Sequence, residues 1–197
     1  MTTDLLERPS LSQRLKQETD AEHMRMHRLM EHGAPFSSRA AYVRFVTAQY
    51  LFQRDVQHLF ADPAVQAVVP DLEVRGRQEA ALADLRDLNA PPPPTEPIAS
   101  ATVTMPEALG WLYVSEGSTL GAAFLLKEAQ AELGLSADFG ARNLAAYPEG
   151  RALAWRSFVA TLNSDRVDPD THEAILAGAL AAYARFGELL VRYFGQP

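Results

Sequence analysis

The chain has no cysteine. That excludes a disulfide framework, cysteine-ligated zinc, thiolate-held iron–sulfur clusters and thiol catalysis together. Basic residues are in deficit. Eighteen Lys and Arg against 25 Asp and Glu give a formal charge of −7, the wrong sign for broad contact with nucleic acid or an anionic membrane, so neither partner is expected. No apolar run reads as the roughly 18 residues needed to cross a bilayer. The opening "MTTDLLERPSLSQRLKQ" lacks the basic-then-apolar order of a secretory signal, and a cytoplasmic protein is the expectation. Strand-type alternation is nearly missing too, which leaves a β architecture with nothing to build on.

What is present is helical. With 197 residues, 47% of them hydrophobic, the chain can bury one sizeable core, and its apolar residues recur every three to four positions. The fold class is all-α: residues 11–197 form a single helical domain, and residues 1–10 form a flexible N-terminus. One helix is expected over 11–31, with Leu15, Thr19, His23, Met26 and Met30 along a stripe, stopped by Gly33 and Pro35. Ser37 or Ser38 caps the next, which carries Tyr42, Phe45, Gln49, Phe52, Val56 and Phe60 at helical spacing. Further helices are expected over about 70–88, from Thr104–Pro106 to Leu133, over about 151–163, and from Asp168–Pro169 to Phe194. The proline run "NAPPPPTEP" (89–97) is an extended connector, and 134–150 is a folded loop.

The stretch "GWLYVSEGSTLGAAFLL" (110–126) places Gly110, Gly117 and Gly121 on one helical face. Each glycine costs about 1 kcal/mol relative to alanine in a helix interior. Three accounts compete: close helix–helix packing, a hinge at Gly117–Ser118, and a flat ligand lying against bare backbone. Glu116 points about 100° away from the glycine line and reads as solvated or structural. On the first helix His23 shares a stripe with Leu15, Met26 and Met30, so it is expected to face inward. A buried imidazole needs a hydrogen-bond partner or a metal. Lys16 lies seven residues earlier, about 10 Å along the same face, where a cation can hold an anionic group at the rim of a large ligand. Together these features describe a slot for a planar, dianionic, metal-centred molecule such as haem.

The combination of "LKQETDAEH" (15–23), "GWLYVSEGSTLGAAFL" (110–125), "GARNLAAYPEGRALAWRSFVATLN" (140–163) and "RYFG" (192–195) resembles the biliverdin-forming bacterial haem oxygenases, over about Leu11 to Gly195. The resemblance implies an all-helical fold with haem between a proximal and a distal helix. It implies oxidative cleavage of haem at a meso carbon by dioxygen, yielding biliverdin, carbon monoxide and ferrous iron. Haem is then both cofactor and substrate, and electrons come from an external donor such as a ferredoxin or a flavodoxin-type reductase. On this resemblance His23 is the iron ligand. Gly117 and Gly121, with Ser118 between them, present distal backbone to the haem. Lys16 and Tyr113 contact propionates, Gln49, Arg77 and Trp155 surround a distal water network, and Arg185 is a further propionate contact. Cleavage at the α-meso carbon is favoured by Lys16, and a monomer is the default.

Two positions depart from the family pattern. His27 stands where relatives commonly carry an acid four residues after the ligand, so less charge reaches the second ring nitrogen. Gln53 stands where a close relative has histidine, which alters the distal waters. His23 and His27 are also an i, i+4 pair able to share a metal. Two other functions stay open at this level. One is a non-haem dimetal oxidase using Asp20–His23 and Asp55–His58 with Glu79 and Glu116 as bridges. The other is a haem carrier or sensor without turnover.

Overall fold

The computed structural model describes residues 9–69 and 71–197. Eight α-helices make up its architecture: α1 (Leu11–Glu18), α2 (Asp20–Gly33), α3 (Arg39–His58), α4 (Pro63–Val68), α5 (Gln78–Asp87), α6 (Glu107–Leu133), α7 (Arg151–Leu162) and α8 (His172–Phe194). Among the described residues there is no strand, only isolated bridges at Ser136. The expected flexible N-terminus lies outside the described residues as far as position 8. Ser10 is ordered by a capping box with Gln13 that starts α1.

The expected first helix is two. Thr19 closes α1 and opens α2 with φ −105° and ψ 3°, and its hydroxyl donates to the Leu15 carbonyl at 2.7 Å. That back-bond competes with the backbone ladder and bends the helix. Ser38 caps α3 by accepting from the Ala41 amide at 3.1 Å. The helix expected over 70–88 begins only at Gln78, and a short helix the apolar spacing did not reveal, α4, opens on Pro63 behind the Asp62 cap. Gly134, at φ 65°, ends α6 in the left-handed region that glycine enters freely.

The core is organised around α8, which packs against α1, α2, α3 and α6. This centrality accounts for its composition. Residues 169–194 contain an 18-residue window of mean hydropathy 1.5, long and apolar enough to cross a membrane, contrary to the expectation that no run reaches that length. Ile175, Ala179, Ala182, Leu189 and Leu190 of this helix are fully buried in the domain. Tyr42, Phe45, Leu51, Leu109, Leu112 and Phe158 complete the centre.

The proline connector is pinned to this core. Asp55, fully buried on α3, accepts from the Ala99 amide at 3.1 Å and from Arg185 Nε at 2.8 Å. Arg54 donates to the carbonyls of Glu96 and Pro97, each at 3.1 Å. The carboxylate of Glu96 pairs with both Arg185 and Arg192. A segment with few amide donors is thereby held through carbonyls and one carboxylate.

Candidate functional site

The three glycines of α6 share a face but not an environment. A Cβ on Gly110 would strike the backbone of Ile175, Gly178 and Ala179, so this glycine serves close packing of α6 on α8. A Cβ on Gly117 would meet only the Trp155 ring at 3.6 Å, an ordinary contact, and one on Gly121 would meet nothing within 4 Å. The packing account therefore holds for the first glycine and fails for the third. Around Gly121 the helix is apolar and uncovered, with Leu120 at 38% and Phe124 at 73% exposure. Backbone without side chains and beside bare apolar groups is a cradle for a flat hydrophobic body.

A polar network lies beneath that cradle. Arg77, 6% exposed, sends one Nη to the Ser115 carbonyl and hydroxyl, both at 2.8 Å, and to the Ser118 hydroxyl at 3.3 Å. Buried Gln53 meets the same Ser115 hydroxyl at 3.3 Å. Arg77 Nε is buried without an acceptor among the described residues, an unmet donor of the kind that ordered water satisfies. Burial lowers the Arg77 guanidinium below its ordinary value, although Glu116 and Tyr147 nearby oppose this. The hydroxyls of Ser118 and Thr119 each turn back at 2.6 Å to carbonyls three residues earlier, those of Ser115 and Glu116. Such bonds compete with the helical ladder where glycine already leaves the backbone free.

Glu116 is structural and not solvated. It is 2% exposed and accepts from Arg75 Nη1 at 2.6 Å and from the Tyr147 hydroxyl at 2.7 Å. Arg75 in turn makes a two-pronged pair with Asp71, both contacts at 2.8 Å, and lies 5.4 Å above the Phe158 ring. Tyr147 adopts φ 54°, a conformation rare for a bulky residue, and its hydroxyl bond to Glu116 helps hold it there. Sequence reasoning missed Arg75 because it assumed a helix through this stretch, where residues 75 and 77 would point in different directions. A 3-10 turn over Leu72–Val74 and the break before α5 instead bring both guanidinia onto α6, Arg75 at Glu116 and Arg77 at Ser115 and Ser118.

On the other wall, His23 corrects an expectation. Its ring is exposed, with no hydrogen bond from a described residue, and meets the His27 ring edge-on at a centroid distance of 4.7 Å. Partial burial, then the neighbouring His27, lowers its pKa from the ordinary value. A lowered pKa favours the neutral imidazole, which presents one nitrogen lone pair to a metal. Helices α2 and α6 both lean on α8 without packing extensively against each other, so His23 and Gly121 stand on two elements that do not close together.

Other residues fall in two groups. Tyr113 and Trp155 come together beside Gly117 with ring centroids 5.5 Å apart, and burial, then Tyr183, pushes the Tyr113 hydroxyl up to about 12. Gln49 is half-buried on α3, one turn before Gln53. Lys16 is exposed in the last turn of α1. Arg185 does not fit a propionate contact, because its guanidinium is spent on Asp55 and Glu96 and its side chain is only 10% exposed. The dimetal arrangement does not assemble. Asp55 is engaged by Arg54 and Arg185, Glu116 by Arg75 and Tyr147, Glu79 is exposed, and no group of three metal-ligating side chains occurs among the described residues.

The haem oxygenase family model matches residues 9–192. The chain is 46% identical to haem oxygenase PigA of Pseudomonas aeruginosa over 184 residues, covering 93% of this chain and 92% of that one. Its structure superimposes on the NO- and CO-bound haem oxygenase of Neisseria meningitidis with a TM-score of 0.85 at 35% identity, covering 96% and 94% of the two chains. The fold also matches the haem oxygenase of Leptospira interrogans, at a TM-score of 0.77 and 16% identity over 93% of this chain and all of the other. A helical fold with a bare-backbone cradle on α6, matched along nearly its whole length to this one family, places the chain in the haem oxygenase family.

Proposed function

We propose that haem is held between His23 and the Gly117–Gly121 backbone and is cleaved there. The observation that carries this reading is the open space over Gly121, on the same helix whose other end uses Gly110 for tight packing. When bound, haem supplies the redox iron and is itself the molecule opened, with dioxygen and external electrons giving biliverdin, carbon monoxide and ferrous iron.

The residues present fit that group. The exposed, neutral His23 offers a nitrogen to the iron without the electron push of a thiolate. Gly117 and Gly121 let the porphyrin approach the α6 backbone, and their missing side chains form a wall of fixed shape. Between Gly117 and Gly121 the helix carries only Ser118, Thr119 and Leu120, none of them ionisable. Ser118, Arg77 and Gln49 hold ordered water that passes protons, and Trp155 bounds the slot beside Gly117. Lys16 and Tyr113 take the two propionates, an arrangement that favours the α-meso carbon. Flexing at Gly117–Gly121 admits haem and releases biliverdin. The electron donor is a ferredoxin or a flavodoxin-type reductase, and the working form is a cytoplasmic monomer.

Adding haemin to the purified chain tests the reading. A Soret band that bleaches under ascorbate to biliverdin is the expected result. A stable band without turnover would mean a carrier, and no Soret band at all would refute haem ligation by the chain. His23→Ala should lose both ligation and turnover, and added imidazole should restore them in part.

A further inference from the structure

We propose that, before haem is loaded, His23 and His27 together chelate a divalent first-row transition cation, and that this cation and haem exclude each other. The exclusion rests on His23 being the haem ligand. The chelate rests on geometry alone.

Both residues lie within α2, one turn apart on the same side. Both are exposed to solvent, so an ion can reach them. Two imidazoles on one ion, each nitrogen about 2.0–2.1 Å from the metal, place their ring centroids about 4.5–5 Å apart for angles between square and tetrahedral. The observed separation is 4.7 Å with the ring planes at 85°, within the range that shared ligation requires. Asp20, one turn before His23, adds a carboxylate charge that acts on that ring. Among the described residues no third His, Asp or Glu completes the set. Water therefore fills the remaining positions, and the ion is exchangeable. Imidazole donors suit zinc, nickel, copper and iron. The ferrous iron set free by haem cleavage belongs to this class and is released beside the pair.

The test uses the haem-free full chain and zinc chloride. Calorimetric titration should show one site per chain, with His27→Gln and His23→Ala each weakening it at least about tenfold and His32→Ala leaving it unchanged; circular dichroism checks that each variant is folded. Zinc added before haemin should suppress the Soret band of the parent chain. In His27→Gln the band should form with or without zinc, since His23 remains. A parent that binds no zinc at micromolar concentrations, or equal binding by His27→Gln, overturns the chelate and leaves the haem reading intact. A normal Soret band in His23→Ala overturns the ligand assignment, and the exclusion with it, whatever zinc does.

Discussion

Gly110 on α6 and Gly178 on α8 bring two helix backbones into direct contact. A methyl group on the first would run into the Ile175 carbonyl and the Ala179 amide, and one on the second into the Glu107 carbonyl. Gly110→Ala should therefore destabilise the chain by about 1–3 kcal/mol through overpacking, even though alanine is the better helix former by about 1 kcal/mol. At Gly121 the sign reverses. Nothing lies within 4 Å of a Cβ there, so Gly121→Ala should leave the haem-free fold unchanged or raise its stability by up to about 1 kcal/mol. The same change should weaken haem affinity, and Gly121→Phe should abolish turnover. Urea unfolding of the haem-free variants and haemin titration separate the two effects.

This contrast marks how far the sequence alone could be read. Spacing put the three glycines on one face correctly, but it has no access to what lies opposite that face, and one helix meets α8 at its start and open space further along. His23 shows the same limit. Its stripe includes buried Leu15 and Met26, yet the break at Thr19 and the sparse contact between α2 and α6 leave the imidazole exposed. The helices themselves were legible, because their periodicity and caps are local. Arg75 and α4 were not: a turn hid the first, and a six-residue helix is too short to show a period. The ion cluster that occupies Arg185 joins residues 89 and 130 positions apart, beyond the reach of any local pattern.

The Arg75–Glu116 pair predicts a large asymmetry between single and double variants. Both side chains are nearly inaccessible, at 2% and 3%. Glu116→Ala leaves the buried Arg75 guanidinium with Asp71 alone and the Tyr147 hydroxyl without its acceptor, and should cost about 1–3 kcal/mol. Replacing both partners with apolar residues of similar size, Arg75→Met with Glu116→Leu, should cost less than Glu116→Ala alone, although Asp71 and Tyr147 each lose a partner. Equal losses in the single and double variants, measured by denaturant unfolding, would show that the pair carries no such coupling.

Asp84 gives the chain a pH dependence of defined sign. Burial raises its pKa from 3.8 to about 6, although its carboxylate accepts the amides of Asn143 and Arg142. Below about pH 4 the group is protonated whether the chain is folded or not. Between there and about pH 6 the folded chain keeps a proton that the unfolded chain has released, so this group's contribution to stability falls as pH rises and then levels off. Asp87 and Glu96, whose pKa values are lowered in the fold by their arginine partners against the opposing effect of burial, act in the opposite direction. The measurement is therefore a difference, the unfolding free energy of the parent minus that of Asp84→Asn from pH 4 to pH 7. That difference should decline with rising pH, and a flat profile would show that Asp84 titrates normally.

Arg77 separates holding the helix from supporting the reaction. Arg77→Met keeps most of the buried volume but removes the donor shared by the Ser115 carbonyl, the Ser115 hydroxyl and the Ser118 hydroxyl. It also removes the unpaired Nε–H beneath the cradle. The lost bonds should cost about 1–3 kcal/mol of stability, visible in the unfolding of the haem-free chain. If Arg77 only braces α6, turnover should drop in proportion to the fraction folded, and the solvent isotope effect on turnover should match the parent's. If it orders water that delivers protons to the distal face, haem affinity should stay within about twofold while turnover falls by about tenfold or more. The solvent isotope effect should then change as well. Lysine should not rescue the loss in full, because its single ammonium can replace the one Nη that serves Ser115 and Ser118 but supplies no second donor in place of the Nε–H. Parent-level turnover in a fully folded Arg77→Met chain would remove this residue from the distal network.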